Sequence, residues 1–324
     1  MPATPRSPWP AATRRRGSSG RQTVGIVVAS FNTRRLIAQL VFSLYRLLGR
    51  DQFAQLVVVD NASTDGSREL LNALHRAGLM HLIRNRRQRY HGPALTQGVS
   101  WLARRQRDSV RSGRIDYVWV LDSDVIVLRR DTVRAALDVF RRSDAALVGQ
   151  KTGNAAYDRL LQHNRQMLHP CSLMLDPAAV WRPPIPPFVE DGAPATALQV
   201  AADERELRLE PFPFVEERYV LHLGRGTLRE VANSGDTVNR YHAWAVGHRD
   251  YHFAGQMDGA ELYGAFCKLF DAEVGDVRPE SLVRACRASR LLSVESPERS
   301  RESRARARGR RELPSRRRPL RRRA

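Results

Sequence analysis

Two aspartates separated by a single residue, Asp122 and Asp124, follow the apolar run Tyr117–Leu121. If that run is a buried strand, both carboxylates and the intervening Ser123 lie where the strand ends. Two carboxylates at this spacing suit a hard divalent cation, Mn²⁺ or Mg²⁺, which takes oxygen ligands and tolerates bridging to a diphosphate. The alternative is that Asp124 only caps a turn or a helix.

A second carboxylate, Asp60, ends the apolar run that begins at Leu56 and is followed at once by a polar turn. A carboxylate in this position can accept an N–H from the edge of a nucleotide base, and Asn61 and Ser63 can hydrogen-bond a base or a ribose. The structural alternative is an Asx-type turn that caps the helix starting at Ser67. The residues alone leave both interpretations open.

The elements that position these residues alternate between short apolar runs and amphipathic stretches from Thr23 to about Gln150. The predicted strands are Val24–Ser30, Leu56–Asp60, Met80–Arg84 and Tyr117–Leu121, and the predicted helices are Arg34–Leu48, Ser67–Ala77 and Pro93–Arg107. Strands that are apolar throughout and alternate with helices indicate a parallel sheet covered on both faces. Ligands bind such sheets beyond the carboxyl ends of the strands, where Ser30 and Asn32 also fall.

The second half of the chain is less regular. We predict a helix over Ala193–Ala202, short strands over Arg208–Pro211 and Arg218–His222, and helices again beyond Thr227. Nothing in the pattern indicates an internal repeat.

The formal charge of +20 is concentrated at the ends of the chain. Residues 1–22 contain five arginines and no acid, and residues 297–324 contain thirteen arginines and three glutamates, so the ends carry three quarters of the excess. Both ends are poor in apolar residues and are expected to be disordered. A nearly neutral centre argues against nucleic acid as the main partner.

The three cysteines, Cys171, Cys267 and Cys286, are far apart and form no C-x-x-C pair. Their spacing suggests neither a disulfide framework nor a thiolate zinc site, so we expect three free thiols. The chain has neither an apolar run long enough to span a membrane nor a signal-like segment, which predicts a cytoplasmic protein.

Four motifs occur in the order and at the spacing of the inverting GT-A glycosyltransferases of family 2. They are TVGIVVASFN (Thr23–Asn32), VVVDNASTDGS (Val57–Ser67), the loop HGPALTQGVSWL with Gly92 and Gly98, and VLDSDV (Val120–Val125). Three further strings, HPCSLMLD, DGAPAT and VLHLGRGTL, are similar to the rhamnosyltransferase-type branch. The resemblance covers about residues 23–230 and implies a mixed, mainly parallel α/β sheet flanked by helices.

Carried over residue by residue, the resemblance implies a nucleotide-sugar pocket. Ser30 and Asn32 would line it, Asp60 would meet the base, and Asp122 would approach the ribose and the metal. Asp124 would bind the metal. The remaining residues of the predicted pocket are Asn61, Ser63, Gly92 and Ser123.

The second half supplies the other roles that the resemblance implies. His222 would be a further metal ligand, although a satisfied core histidine is the alternative. Glu190 and Asp191 fall where the family places its catalytic base, and we favour Asp191. Arg225, in Gly224-Arg225-Gly226, either approaches the diphosphate or belongs to a turn. Relatives usually carry an asparagine where this chain has Thr96-Gln97-Gly98.

These roles divide the chain into five predicted regions. They are a basic tail (1–22), a nucleotide-sugar-binding half (23–150), an acceptor-binding and catalytic half (151–273), a helical extension (274–296) and an arginine-rich tail (297–324). The expected partners are a nucleotide-sugar, UDP- or dTDP-linked and including dTDP-rhamnose, and a glycan or lipid-linked acceptor. The C-terminal tail could hold the protein against the inner face of an anionic plasma membrane, since each basic residue near the surface contributes about 1 kcal/mol.

Two other functions compete with the transferase. A catalytically silent protein could bind nucleic acid or membrane through its arginine tails. A nucleotidyltransferase would share the parallel sheet and the carboxylates, but it relies on a Gly-rich phosphate loop after the first strand. This chain has Ala29-Ser30-Phe31-Asn32-Thr33 there, which ranks that function last.

Overall fold

The structure is a computed structural model that describes residues 9, 22–108, 115–181, 188, 194–224 and 260–294. Its strands are β1 (Val24–Ser30), β2 (Gln55–Asp60), β3 (His81–Arg84), β4 (Tyr117–Asp122), β5 (Val125–Val127), β6 (Leu147–Lys151), β7 (Leu168–Leu175), β8 (Leu209–Pro211) and β9 (Val220–His222). Its α-helices are α1 (Arg34–Ser43), α2 (Ser67–Arg76), α3 (His91–Asp108), α4 (Thr132–Ser143), α5 (Ala155–Asp158), α6 (Pro177–Val180), α7 (Thr196–Asp203), α8 (Ala260–Glu273) and α9 (Pro279–Arg287). A π-helical turn (Leu44–Gly49) and a 3₁₀ turn (Arg50–Gln52) extend α1.

Seven strands form one sheet in the order β3-β2-β1-β4-β7-β6-β8. The strands β1 to β4 are mutually parallel, whereas β7 runs antiparallel between β4 and β6. The predicted mixed, mainly parallel sheet is therefore confirmed. β6 and β7, which extend the sheet beyond β4, were not predicted from the sequence.

Successive side chains of β1 lie on opposite faces of the sheet, and both faces are covered. Ile26 and Val28 pack into one apolar layer, with α1, α2 and the C-terminal helices, and Val27 packs into the opposite layer, with α3. All seven residues of β1 are buried, which explains its uninterrupted apolar sequence. Trp9, from the segment expected to be disordered, is also buried in the α3 layer.

Close packing fixes α3 against the sheet. A Cβ atom added at Gly98 would lie 2.4 Å from Cγ1 of Val27, so only glycine lets the helix approach β1 this closely. The helix starts at His91, two residues before the predicted start at Pro93. This contact aims the first turns of α3 at the carboxyl ends of the strands.

A second, two-stranded sheet lies beside the carboxyl end of β4. In it β5 pairs antiparallel with β9, and Val125 lies opposite His222. The backbone N–H of Leu223 continues the pairing by donating to the carbonyl of Asp124 at 3.1 Å. This small sheet brings β9, from the second half of the chain, to the end of β4.

Candidate active site

The parallel strands bring three of the predicted polar residues to one edge. Ser30 pairs with Asp60 across β1 and β2, and Ala29 pairs with Asp122 across β1 and β4. The prediction that polar residues gather at the carboxyl ends of these strands is confirmed. The common edge follows from the parallel direction of β1, β2 and β4.

Asp60 is fully buried at this edge. Its Oδ1 accepts a hydrogen bond from the backbone N–H of Ser63 at 3.0 Å, so it does form part of a turn. Its Oδ2 has no hydrogen-bond partner among the described residues, and Nε of Arg68 is 3.8 Å away. A buried carboxylate oxygen without a donor is costly, and an N–H of a ligand would satisfy it.

Other predicted pocket residues hold the surrounding loops together. Ser30 and Thr33 share a hydroxyl hydrogen bond of 3.0 Å. The backbone N–H of Asn32 donates to Oγ of Ser63 at 3.0 Å, and the side-chain oxygen of Asn32 accepts from the N–H of Thr64 at 2.8 Å. These bonds join the loop after β1 to the loop after β2 beside Asp60.

Two side-chain amides with no predicted role, Asn85 and Gln97, hold Asn61 in place. Asn85 and Gln97 exchange two hydrogen bonds, of 2.9 and 3.1 Å. Asn85 also donates to the side-chain oxygen of Asn61 at 3.0 Å, and Asn61 in turn donates to the carbonyl of Tyr90. Gln97, which departs from the family pattern, therefore connects α3 to the loop that carries Asp60.

Asp122 and Asp124 face His222. Its Nε2 lies 3.7 Å from Oδ2 of Asp122 and 3.5 Å from Oδ1 of Asp124, and ligand atoms of the three side chains lie within 4.8 Å of one another. Ser123, between the aspartates, is buried. His222 is thus placed beside the two carboxylates by the pairing of β5 with β9.

These three residues fit a divalent cation. Oδ1 of Asp122 is buried and has no hydrogen-bond partner among the described residues, as expected of an atom kept for a ligand. Two carboxylates and one imidazole form a donor set that Mn²⁺ and Mg²⁺ accept. The arrangement therefore favours the metal-binding interpretation over a core histidine or a turn cap.

A second histidine at this site was not identified from the sequence. His91, the first residue of α3, places its Nε2 3.4 Å from Oδ1 of Asp122. Gly92, the next residue, is in the first turn of the same helix. The motif HGPALTQG was the available signal, but only its glycines were singled out.

Strand β7 adds a cysteine and a further histidine. Ligand atoms of His169, Cys171 and His222 lie within 4.8 Å of one another, and the rings of the two histidines are 5.4 Å apart. All three cysteines are free, as predicted. The spacing of the cysteines suggested no thiolate metal site, and the two histidines beside Cys171 were not expected, because spacing along the chain does not reveal a partner on another strand.

The three side chains perturb one another's protonation. Burial opposes ionisation of Cys171, but the charge of His222 and hydrogen bonds with both histidines outweigh it and lower the pKa of the thiol. Burial also favours neutral His222, but Cys171 and then Asp124 raise its pKa well above the ordinary value. Burial acts against protonated His169 as well, and a hydrogen bond with Cys171 still raises its pKa.

Three of the predicted site residues, Glu190, Asp191 and Arg225, lie outside the described residues. The two charged ends also fall outside, apart from Trp9 and Gln22. Within the described helices, none is long and apolar enough to cross a bilayer.

The sheet, with its carboxylates at the strand ends, defines a mixed α/β protein with a candidate ligand site at the carboxyl edge of its parallel strands. The profile named Glycosyl transferase family 2 matches residues 25–193, which is more than half of the chain. The chain belongs to this family and is a glycosyltransferase. No curated protein sequence matches it significantly.

Several solved structures are similar to this chain. The mannosyltransferase PcManGT from Pyrobaculum calidifontis, in complex with GDP-Man and Mn²⁺, is 16% identical, with 87% of this chain and 88% of that chain covered and a TM-score of 0.46. Glucosyl-3-phosphoglycerate synthase from Mycobacterium tuberculosis, with Mn²⁺, UDP and glucosyl-3-phosphoglycerate, is 18% identical, with 59% and 69% covered and a TM-score of 0.42. TarS 1-349 from S. aureus, in complex with UDP-GlcNAc, is 12% identical, with a TM-score of 0.42; the match covers 59% of this chain and only 56% of that one.

Proposed function

We propose that this glycosyltransferase moves a sugar from a nucleotide-sugar to an acceptor hydroxyl in one displacement that inverts the anomeric centre. The observation that carries the proposal is the convergence of Asp122, Asp124 and His222 at the strand edge that also holds the buried Asp60. A nucleoside diphosphate needs a recognition group for its base and a positive charge for its phosphates. This edge offers a carboxylate for the first and a cation site for the second.

Asp60 recognises the base of the donor in this proposal. Its unsatisfied Oδ2 accepts an N–H, and uracil and thymine both present one at N3. This chemistry supports a UDP- or dTDP-sugar. The motifs shared with the rhamnosyltransferase branch make dTDP-rhamnose the first dTDP-sugar to test.

Asp122, Asp124 and His222 would hold Mn²⁺ or Mg²⁺ next to the diphosphate. When bound, the cation supplies Lewis-acid charge that neutralises the leaving group as the glycosidic bond breaks. Asp122 is the last residue of β4, and Asp124 lies in the turn directly before β5. His222 is the last residue of β9, so paired strands hold or flank all three groups, which suits precise positioning.

Asp191 is our candidate for the general base, with Glu190 beside it in the chain. It would take the proton of the acceptor hydroxyl while the hydroxyl oxygen bonds to the anomeric carbon and the bond to the diphosphate oxygen breaks. Such general-base catalysis contributes a factor on the order of 10²–10⁴ in rate. Arg225 would lie near the diphosphate as a cationic partner.

The division of labour between residues 23–150 and 151–273 belongs to the same proposal: the first half binds the donor and the second half the acceptor. A glycan or a lipid-linked acceptor would be used in the cytoplasm. The arginine-rich tail, residues 297–324, would hold the enzyme near an anionic membrane. Removing this tail should abolish binding to anionic liposomes and leave turnover of a soluble acceptor intact.

A panel of nucleotide-sugars tests the proposal. The correct donor at one hundred times its dissociation constant should add about 2.7 kcal/mol of stability in a thermal-shift assay. With that donor and Mn²⁺, the protein should release nucleoside diphosphate, and nuclear magnetic resonance of the product should show an inverted anomeric configuration. Retention of configuration would contradict the single displacement.

The Asp191→Asn variant tests the base. It should lower kcat by about a hundredfold or more and leave donor affinity unchanged, because the acceptor proton moves only in the transition state. The matched variant Glu190→Gln should retain more activity if Asp191 is the base.

A protein that binds liposomes or nucleic acid but turns over no donor would support the competing function, a catalytically silent basic protein.

A further inference from the structure

Strand β7 carries two side chains that can bind a metal ion, His169 and Cys171. They are two residues apart in the strand, so both project from the same face. The register of β7 against β4 pairs Ser172 with Leu121, which places Cys171 beside Asp122 at the next position. The two side chains therefore belong to the edge of the sheet where β4 ends.

His222 completes a group of three possible ligands. The ligand atoms of His169, Cys171 and His222 lie within 4.8 Å of one another. In tetrahedral zinc sites, bond lengths of about 2.0–2.1 Å to nitrogen and about 2.3 Å to sulfur separate the ligand atoms by roughly 3.3–3.6 Å. Closing the group by about 1 Å is within the range of small side-chain torsions.

The three side chains differ in their exposure to solvent. Cys171 is 1% exposed, His169 is half-buried, and the side chain of His222 is 19% exposed. A cation could therefore enter from the histidine side and meet a sulfur atom already removed from water. Three protein ligands leave a fourth tetrahedral position for solvent or another small ligand.

The two groups that share His222 differ in chemistry. Asp122 and Asp124 add two oxygens to the imidazole and suit a hard cation, whereas Cys171 and His169 add a sulfur and a second nitrogen. Thiolate and imidazole ligands select Zn²⁺ over Mg²⁺ or Mn²⁺. A neutral imidazole has a single lone pair for a metal, so His222 can serve one of the two cations at a time.

We propose that His169, Cys171 and His222 bind one Zn²⁺-class cation, and that this cation competes with the hard cation for His222. Zinc would then switch off the donor site by taking away a ligand. The zinc site itself is independent of the proposed sugar transfer. Only its inhibitory consequence rests on the proposed function.

Cobalt(II) is the direct probe of this site. Metal-free full-length protein titrated with Co²⁺ should develop a near-ultraviolet band of thiolate-to-cobalt charge transfer that saturates at one equivalent and disappears when Zn²⁺ is added. Cys171→Ser should abolish the band, and Cys267→Ser is the matched control that should retain it. Asp124→Asn should also retain it, because that carboxylate belongs to the hard site.

Zinc affinity gives a second measure. Loss of an outer-shell partner costs about 10–100-fold in metal affinity, so losing a direct ligand in Cys171→Ser or His169→Ala should cost at least about a hundredfold. In wild type loaded with Mn²⁺, stoichiometric Zn²⁺ should release free Mn²⁺, which electron paramagnetic resonance detects. The cobalt band and the release of Mn²⁺ are both measured on wild type, so these two results do not depend on whether a variant folds.

The results separate this inference from the proposed function. Absence of the thiolate band in wild type, or its survival in Cys171→Ser, would overturn the zinc site and leave sugar transfer untouched. Zinc binding that leaves Mn²⁺ in place would overturn the competition. A clear cobalt band in a protein that turns over no donor would retain the zinc site and refute the transferase proposal.

Discussion

Nε2 of His222 lies 3.5 Å from a carboxylate oxygen of Asp124, although the two residues belong to opposite halves of the chain. The antiparallel pair of β5 and β9 produces this contact, because it places Val125 opposite His222. The same histidine also faces Cys171. One side chain therefore connects an oxygen-rich group to a sulfur-containing one.

Asp124→Asn should weaken Mn²⁺ binding by about a hundredfold or more and lower kcat/KM by a similar factor. The neutral amide keeps the shape of the side chain but removes one charge from the cation site, and such charge stabilisation amounts to several kcal/mol. Electron paramagnetic resonance of free Mn²⁺ measures the affinity. The exposed Asp276→Asn is the matched control, and equal affinities for the two variants would refute the metal assignment.

Asp60→Asn should weaken binding of the nucleoside diphosphate by about ten- to a hundredfold. A hydrogen bond to a charged group contributes roughly 1.5–3 kcal/mol, and each 1.4 kcal/mol is a factor of ten. The asparagine oxygen can still accept from the N–H of Ser63, so the turn should persist. Isothermal titration calorimetry checks this, with unchanged thermal stability as the control for folding; an unaltered dissociation constant would exclude Asp60 from base recognition.

Gly98→Ala should destabilise the protein by about 1–3 kcal/mol, because the new methyl group collides with Val27 and overpacks the contact between α3 and β1. Adding Val27→Ala should recover part of the loss, so the double variant should be more stable than the sum of the single effects implies. Urea denaturation of all four proteins measures the coupling. Strictly additive effects would show that the two positions do not collide.

Asp203→Asn should cost on the order of 2–4 kcal/mol of stability. The buried carboxylate accepts from the backbone N–H groups of Gln162, His163 and Asn164 and from the side chain of Asn164, at distances of 2.6–3.2 Å. An amide cannot accept from all of these donors without turning its own N–H₂ group toward one of them. Differential scanning calorimetry at neutral pH measures the loss.

The same variant carries a pH dependence. Burial raises the pKa of Asp203, but hydrogen bonds from Gln162 and Asn164 outweigh it, so the folded-state pKa is lowered. A lowered folded-state pKa stabilises the protein above the unfolded value of about 3.9 and loses that contribution as the pH falls through the folded value. The difference in Tm between wild type and Asp203→Asn should be constant above about pH 5 and shrink toward pH 3; a difference independent of pH would contradict this.

The central part of the fold was predictable from local patterns. β1, β2 and β4 are apolar throughout because both faces of the sheet are covered, and strands of this kind alternate with amphipathic helices. β7 was missed because His169 and Pro170 interrupt its apolar residues. β5 is only three residues long, too short for a periodic signal, whereas β9 lies within the predicted strand Arg218–His222.

The sequence by itself determined that Asp60, Asp122 and Asp124 lie at or just beyond the carboxyl ends of strands and that parallel strands gather them at one edge, because burial sets the strands and chain direction sets which ends coincide. Only the tertiary structure decided which groups face them. His222 reaches Asp124 through strand pairing, Asn85 and Gln97 meet through the packing of α3, and Cys171 of β7 meets one histidine from its own strand and one from β9. These contacts depend on the register between segments far apart in the chain, which side-chain packing of the whole sheet selects and no local pattern encodes.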